Sequence, residues 1–460
     1  MTGRRFRMAV AVAAVITCTA AVGTAAASSS SVSMNLPVVN GVSTSMRSIA
    51  RQSLPAGDGW GSAEGGTSGG SSAATASVVS SRSELVAALG VGTATAATPK
   101  IIFVKGRIDG NVDAADRPLT CDDYASGTGY RLSDYLTAYD PATWGRATRP
   151  SGPAEDARAA AAAKQAAQVQ IPVGANTTLI GLGDQARIVG ANLLIKTADN
   201  VIVRNIAFSD AADCFPKWDP TDGAEGNWNS AYDSITLSGA THVWLDHNSF
   251  TDRPNLDRNQ PSYFGRPYQV HDGASDIIKG SDYVTVSWNR YVDHDKTMLI
   301  GSTNTPTDDL GKLRVTVHHN EFDTVLQRAP RVRFGQVDVY DNDYRVPADS
   351  GHVYSWGVGV GSAVVADKNA FRLDPGVDPA QVIYNWGGTA VHAADNWVSA
   401  GLGRLAPVDL LAAFNAASDP DLGADVGWTP TLRTTVDPAP WVARTVPAGA
   451  GPGGLGGGRG

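Results

Sequence analysis

The stretch KLRVTVHHNEFDTVLQRAPRVRFGQVDVYDNDY (312–344) carries one pattern twice. Valine is followed by asparagine five positions later and by an aromatic two further on: Val315, Asn320, Phe322, then Val337, Asn342, Tyr344. Working outward, the pattern recurs as Val243/Asn248/Phe250, Val284/Asn289/Tyr291 and Val364/Asn369/Phe371. A sixth copy, Val391/Asn396, ends in Val398. Successive valines lie 41, 31, 22, 27 and 27 residues apart. An earlier run, Val201 to Phe208, keeps the outer spacing but has Asn205 one place early.

Recurrence at about 20–50 residues marks a repeat architecture. A strand followed by asparagine at a sharp bend predicts an all-β protein, a parallel β-helix with flanking loops and short helices. Stacked coils can place an asparagine at the same bend each time. Its amide then bonds the next asparagine and satisfies bend backbone groups that would otherwise be buried unpaired. Unequal spacings mean constant coils with loops of different length, and such loops build a binding face. A propeller or sandwich is the competing architecture, but a blade needs four strands, which a 22-residue repeat cannot supply.

The flanks read differently. Arg4, Arg5 and Arg7 precede an apolar run from Met8 to Ala26, with Ala25-Ala26-Ala27 as a small-residue cleavage site. Residues 1–27 are therefore expected to be a signal peptide and the protein to be secreted. Residues 28–56 read as a mobile leader, 57–447 as one β-helix domain and the Gly-rich 448–460 as a disordered tail. A capping box at Ser81 and Glu84 predicts a helix over Leu85–Leu89, and alanine content predicts another over Pro153–Ala167. A third is expected from Pro407 through Ala416. Residues 111–150 look loop-like.

Composition narrows the function. The chain has 460 residues, 18% charged, with a net charge of −8. Removing the three leading arginines gives 34 − 45 = −11. An acidic protein lacks the basic footprint of nucleic-acid or membrane-surface binding. No later segment is long and apolar enough to span a bilayer, and a monomer is expected. Cys121 and Cys214 remain after signal removal. They are either a disulfide or two unrelated buried thiols.

Polar residues crowd between 227 and 335. Asp233 opens a strand in NSAYDSITL, and Asp272 and Asp276 sit in HDGASDIIKG. Carboxylates gathered from separate loops suit Ca²⁺, which takes six to eight oxygens. Lys296 lies in DHDKTMLIG, and Arg328, Arg331 and Arg333 lie in QRAPRVRFG. Alternation puts Arg331 and Arg333 on one face of a strand. Cations beside acidic loops suggest a receptor for carboxylates. His247, His318 and His319 sit in strand contexts and read as hydrogen-bonded core residues.

Together these strings resemble the secreted pectate lyases of polysaccharide lyase family 1. The matching phrases are VWLDHNSF (243–250), HDGASDIIKGSDYVTVSWN (271–289), DHDKTMLIGS (293–302) and 312–344, with NTTLIGLG (176–183) and LLIKTADNVIVRNIAF (193–208) upstream. DPATWG and WDPTDG resemble the bacillus-type branch. The resemblance runs from Gly57 to Val398. It implies a right-handed β-helix with an asparagine ladder, and cleavage of polygalacturonate by β-elimination without water. It implies that Asp233, Asp272 and Asp276 hold calcium. It makes Arg328 the base and Lys296 and Arg333 the substrate-binding cations, with a weaker role for Arg331. Ala231 stands where some members carry a further acid, which weakens a second calcium site.

Arginine is ordinarily always protonated, its pKa being above about 12. A neutral Arg328 needs a cationic or desolvated site and alkaline solution. The acids argue against the nearest rival, a calcium-independent pectin lyase acting on methyl esters. Arg328 and Lys296 argue against a β-helix that binds polyuronate without cleaving it. A β-helix hydrolase would use paired carboxylates and water.

Overall fold

The computed structural model describes residues 39–305, 308–401 and 403–456; the expected signal at 1–27 lies outside them. The repeats wind into a right-handed parallel β-helix. One coil passes through Ser275–Ile278, Asp282–Ser287 and Arg290–Lys296. The next passes through Leu299–Ile300, Val315–His318 and Glu321–Gln327. The one after passes through Arg331–Val332, Gln336–Tyr340 and Asp343–Val346. First strands of successive coils form an eight-stranded sheet, and the second and third strands join a sheet of eighteen, among the described residues.

The repeating valines form one register column, Val201–Val243–Val284–Val315–Val337–Val364–Val391. The aromatics form another. Phe208, Phe250, Tyr291, Phe322, Tyr344 and Phe371 stack with centroids 4.3–5.3 Å apart and nearly parallel rings. All six are buried. Such stacking adds about 0.5–1.5 kcal/mol per pair beyond area burial.

The ladder runs from Asn248 through Asn289, Asn320, Asn342 and Asn369 to Asn396. Each backbone N–H donates to the next Oδ1 at 2.9–3.0 Å. Each Nδ2 donates to the same oxygen at 3.0–3.2 Å. The residue before every rung is left-handed: His247, Trp288, His319, Asp341, Lys368 and Asp395 have φ of 52–58°. That conformation is uncommon outside glycine, with asparagine among the exceptions. This explains Asn205. At φ 59° it occupies the left-handed position itself, and Ile206 takes the rung, its N–H donating to Asn248 at 3.1 Å.

Several flanking expectations need correction. Residues 39–56 are packed rather than loose over their described length. Ser43 caps the helix Thr44–Ile49, while Val42 and Ala50 bury against Ile101, Phe103 and Ile180. Leu54 packs on Ile202 and Trp244. A few apolar side chains suffice because the sheet's outer surface offers partners. The tail also docks over 448–456: Gly451 N–H donates to the Trp288 carbonyl at 2.8 Å and Gly453 N–H to Asn205 at 2.7 Å. The helix expected from Pro407 starts at Leu410 instead, because the Asp409 side chain caps Ala412 N–H. Pro407 lies in the strand Ala406–Pro407. Residues 111–150 contain the helices Cys121–Ala125 and Leu132–Ala138.

The other local readings hold. The helix Arg82–Leu89 has Ser81 as its cap, although Glu84 reaches back to Ser80 N–H. The alanine-rich helix spans Pro153–Val169. Cys121 and Cys214 form a disulfide. Trp144 and Trp218, from the DPATWG and WDPTDG strings, join one aromatic cluster with Tyr135, Tyr139 and Trp228. No helix among the described residues is long and apolar enough to cross a membrane.

Asn320→Ala removes the acceptor for two donors of Asn289 inside a fully buried column. The amide keeps the Leu245 and Ser287 carbonyls, but the buried N–H is left unsatisfied, which should cost about 1–3 kcal/mol, read as a lower midpoint in chemical denaturation. A loss under about 0.5 kcal/mol would make the ladder incidental.

Candidate functional site

Coil stacking brings distant residues to one edge. Ile235 pairs with Ser275, which aligns Asp233 with Gly273. Gly273 bridges to Lys296, and Lys296 pairs with Gln327, beside Arg328. Along this edge two acidic strand steps are thus followed directly by two cationic ones.

Asp233 and Asp276 are buried. Asp233 accepts from Gly273 N–H at 2.8 Å and from Thr236 Oγ1 at 2.5 Å. Asp276 accepts from Leu299 N–H at 2.9 Å. Both carboxylates close on Gly273: a methyl added there would lie 2.3 Å from Asp276 Oδ1 and 2.8 Å from Asp233 Oδ1. Burial, then the charge of Asp272, pushes Asp233 up to about 7. Burial and the charges of Asp233 and Asp272 push Asp276 well above the usual carboxylate range. Buried acids that repel one another in this way call for a counter-cation.

Asp272 stands apart. It is partly exposed, and its carboxylate faces the buried Lys296 ammonium at 3.4 Å. Among the described residues no three acidic, thiol or imidazole side chains gather tightly enough to enclose an ion unaided. Asp233 and Asp276 fit a hard divalent cation by donor chemistry and by the crowding at Gly273. Asp272 would join them only by turning from Lys296. Ala231 contributes no oxygen from its side chain; its N–H donates to Asp213 at 3.0 Å.

Arg328 sits at the turn joining the third strand of one coil to the first of the next. Its φ is 61°, a costly conformation for a long side chain. Its Nε is buried with no hydrogen-bond partner among the described residues. Burial lowers its pKa, but the charges of Asp272 and Asp276 outweigh this and leave it raised. The acids beside it therefore favour the charged form of the residue expected to act as a base.

Arg333 is anchored, with Nε donating to Asn304 at 2.7 Å and Nη1 to the Gly301 carbonyl at 2.8 Å. Burial and neighbouring Arg328 lower its pKa. Arg331 lies over the Trp386 ring, 4.0 Å from its centroid, and burial with Arg333 brings it down to about 10.

Sequence reasoning missed the supports. Asp295 accepts from Gln269 at 2.6 Å and Gln327 at 3.0 Å, tying the long loop to the cationic coil. His294 donates to the Lys296 carbonyl at 3.1 Å and pairs through Nδ1 with Asp252. Both ring nitrogens face oxygen acceptors; burial lowers the imidazole pKa, but the Asp252 carboxylate outweighs this and leaves it raised. Alternation in DHDK, which separates His294 and Lys296 from Asp295, is the one signal that pointed here. His247, His318 and His319 lie at bends of the larger sheet, stacked on Trp288 and Tyr340, in keeping with a core role.

A protein-family model described as "Pectate lyase" matches residues 151–398. Pectate lyase from Bacillus subtilis (strain 168) is 46% identical over 411 residues, covering 88% of this chain and 94% of that protein. Pectate lyase E from Dickeya chrysanthemi is 35% identical over 345 residues, 73% of this chain and 72% of that one. The structure of a thermostable pectate lyase superposes with a TM-score of 0.85 at 43% identity, covering 88% of this chain and 99% of that one. A pectate lyase bound to a hexasaccharide gives 0.83 at 44%, with the same coverage.

Gly273→Ala tests the pairing of Asp233 and Asp276. The new methyl meets flexible carboxylate ends, so the fold should survive while the pair is pushed apart. Calorimetric titration with calcium should show affinity falling by about 10–100-fold at an unchanged melting temperature. Unchanged affinity would separate these acids from any ion.

Proposed function

The chain belongs to the pectate lyase family and is a polysaccharide lyase that cleaves pectate, and from that premise we propose how its residues divide the work. The observation that carries the reading is the register that sets Gly273, beside Asp276, one and two strand steps from Lys296 and Gln327–Arg328, with Asp233 one step further out.

The substrate is polygalacturonate, and the proton to be removed is H5, α to the uronate carboxylate. Lys296 and Arg333 bind that carboxylate and orient the ring. Arg331 plays a lesser part in binding. Arg328, strained and with Nε unpartnered, faces the reacting carbon and takes the proton. The C4–O4 bond then breaks, a C4–C5 double bond forms, and the departing oxygen ends protonated. The product is a 4,5-unsaturated oligogalacturonide. Asp233, Asp272 and Asp276 hold the cofactor, Ca²⁺. When bound, it would supply positive field for the developing charge and cancel the acid field that favours the charged form of Arg328.

Residues 1–27 act as an export signal in this reading, and the enzyme works outside the cell as a single chain. Retained acids favour free uronates over methyl esters.

Incubation with polygalacturonate and calcium should raise the ultraviolet absorbance of the conjugated uronate, and a chelator should abolish the rise. New reducing ends without that absorbance would mean hydrolysis. Arg328→Ala should lower kcat by about 10²–10⁴ while leaving calcium affinity and thermal unfolding intact. The protonated guanidinium loses its proton as pH rises, so activity should climb above about pH 8. A flat profile between about pH 6 and 10 would remove Arg328 from the role of base.

A further inference from the structure

The face that carries the site continues past the arginines. Asp276, Leu299, Arg331, Gly357 and Tyr384 share one register column. Four strand steps of about 4.8 Å put Tyr384 roughly 19 Å from Asp276. A parallel column holds Arg333, Gly359 and Trp386. The intervening coil is glycine at both positions, and close approach demands it. A Cβ at Gly357 would lie 2.9 Å from Arg331 Cγ, and one at Gly359 would lie 2.3 Å from the Val332 carbonyl. The resulting trough lets Arg331 lie along the helix axis and reach the Trp386 ring.

Tyr384 packs on Trp386 with centroids 4.6 Å apart and on the buried Tyr354 at 5.6 Å. It nevertheless leaves 43% of its surface in solvent. Tyr384 is thus supported from beneath and open above, while Trp386 beside it carries the Arg331 guanidinium over its ring. Arg331 borders it with a buried Nε that has no partner among the described residues. A pyranose ring presents a face of C–H bonds with slight positive character. An aromatic face is negative, so the two surfaces match. An adjacent guanidinium can take that residue's carboxylate.

We propose that Tyr384, backed by Trp386, forms a pyranose-stacking subsite for the polygalacturonate chain, remote from the bond that breaks. The proposal rests on the lyase reading above. A chain long enough to bridge both places gains affinity from the platform; a short one gains none. The bland alternative is that both rings merely cover the edge strand Ile383–Trp386, which would affect all substrates equally.

The experiment compares kcat/KM on polygalacturonate and on trigalacturonate for the wild type, Tyr384→Ala and Tyr384→Phe, with calcium present. In Tyr384→Ala the polymer-to-trimer ratio should fall by about two- to tenfold through a higher polymer KM, and Tyr384→Phe should restore it. An equal loss on both substrates, or no loss on the polymer, would overturn the subsite. A wild type that fails to cleave polygalacturonate would instead sink the lyase reading. Calorimetric binding of a long oligogalacturonide would then still decide the subsite: weaker binding by Tyr384→Ala supports it, and equal binding overturns it.

Discussion

Parallel coils held in exact-repeat register are the constraint on which this molecule depends. From Asn289 on, each asparagine Oδ1 accepts from the asparagine of the preceding coil, and ring stacks do the same work in apolar form. Both fix the axial step at about 4.8 Å and forbid slippage. Any residue can then be addressed by its coil and its position within the coil. Asp276 and Arg331 are 55 positions apart in sequence (331 − 276) yet two strands apart in space. Loops of very different length leave that address unchanged.

The scaffold uses this rigidity to hold an unfavourable arrangement. Buried Asp233 and Asp276 repel each other, and Arg328 adopts a left-handed backbone beside them. Neither would persist in a loop free to relax. The left-handed residues at the asparagine bends are strained in the same way, but the asparagine after each one from Trp288 to Asp395 accepts from the preceding coil's N–H and amide. At Arg328 the Nε is instead left unpartnered.

Much of this was legible in the sequence because a coil repeats its chemistry. The valine, asparagine and aromatic positions all fell where periodicity put them, and Asn205 deviated for a reason visible only in the backbone. Residue types alone suggested an acidic group and a basic group, and register explains why they meet. Orientation was not legible: nothing in HDGASD says that Asp272 turns to Lys296 while Asp276 turns inward. Nor could the strings show that acids would favour the charged form of Arg328. At the termini, low complexity misled. Val42, Ala50 and Leu54 are too few to signal a packed segment, yet a ready-made sheet surface needs only a few.

The central claim is that register gathers acids and arginine around one uronate. Its most direct test is a crystal structure of the Arg328→Ala variant soaked with calcium and an oligogalacturonide. The account predicts an ion between the Asp233 and Asp276 carboxylates, with Asp272 turned toward it. It also predicts a sugar whose H5 points at the position vacated by the guanidinium. An ion elsewhere, or a sugar lying across a different sheet, would contradict it.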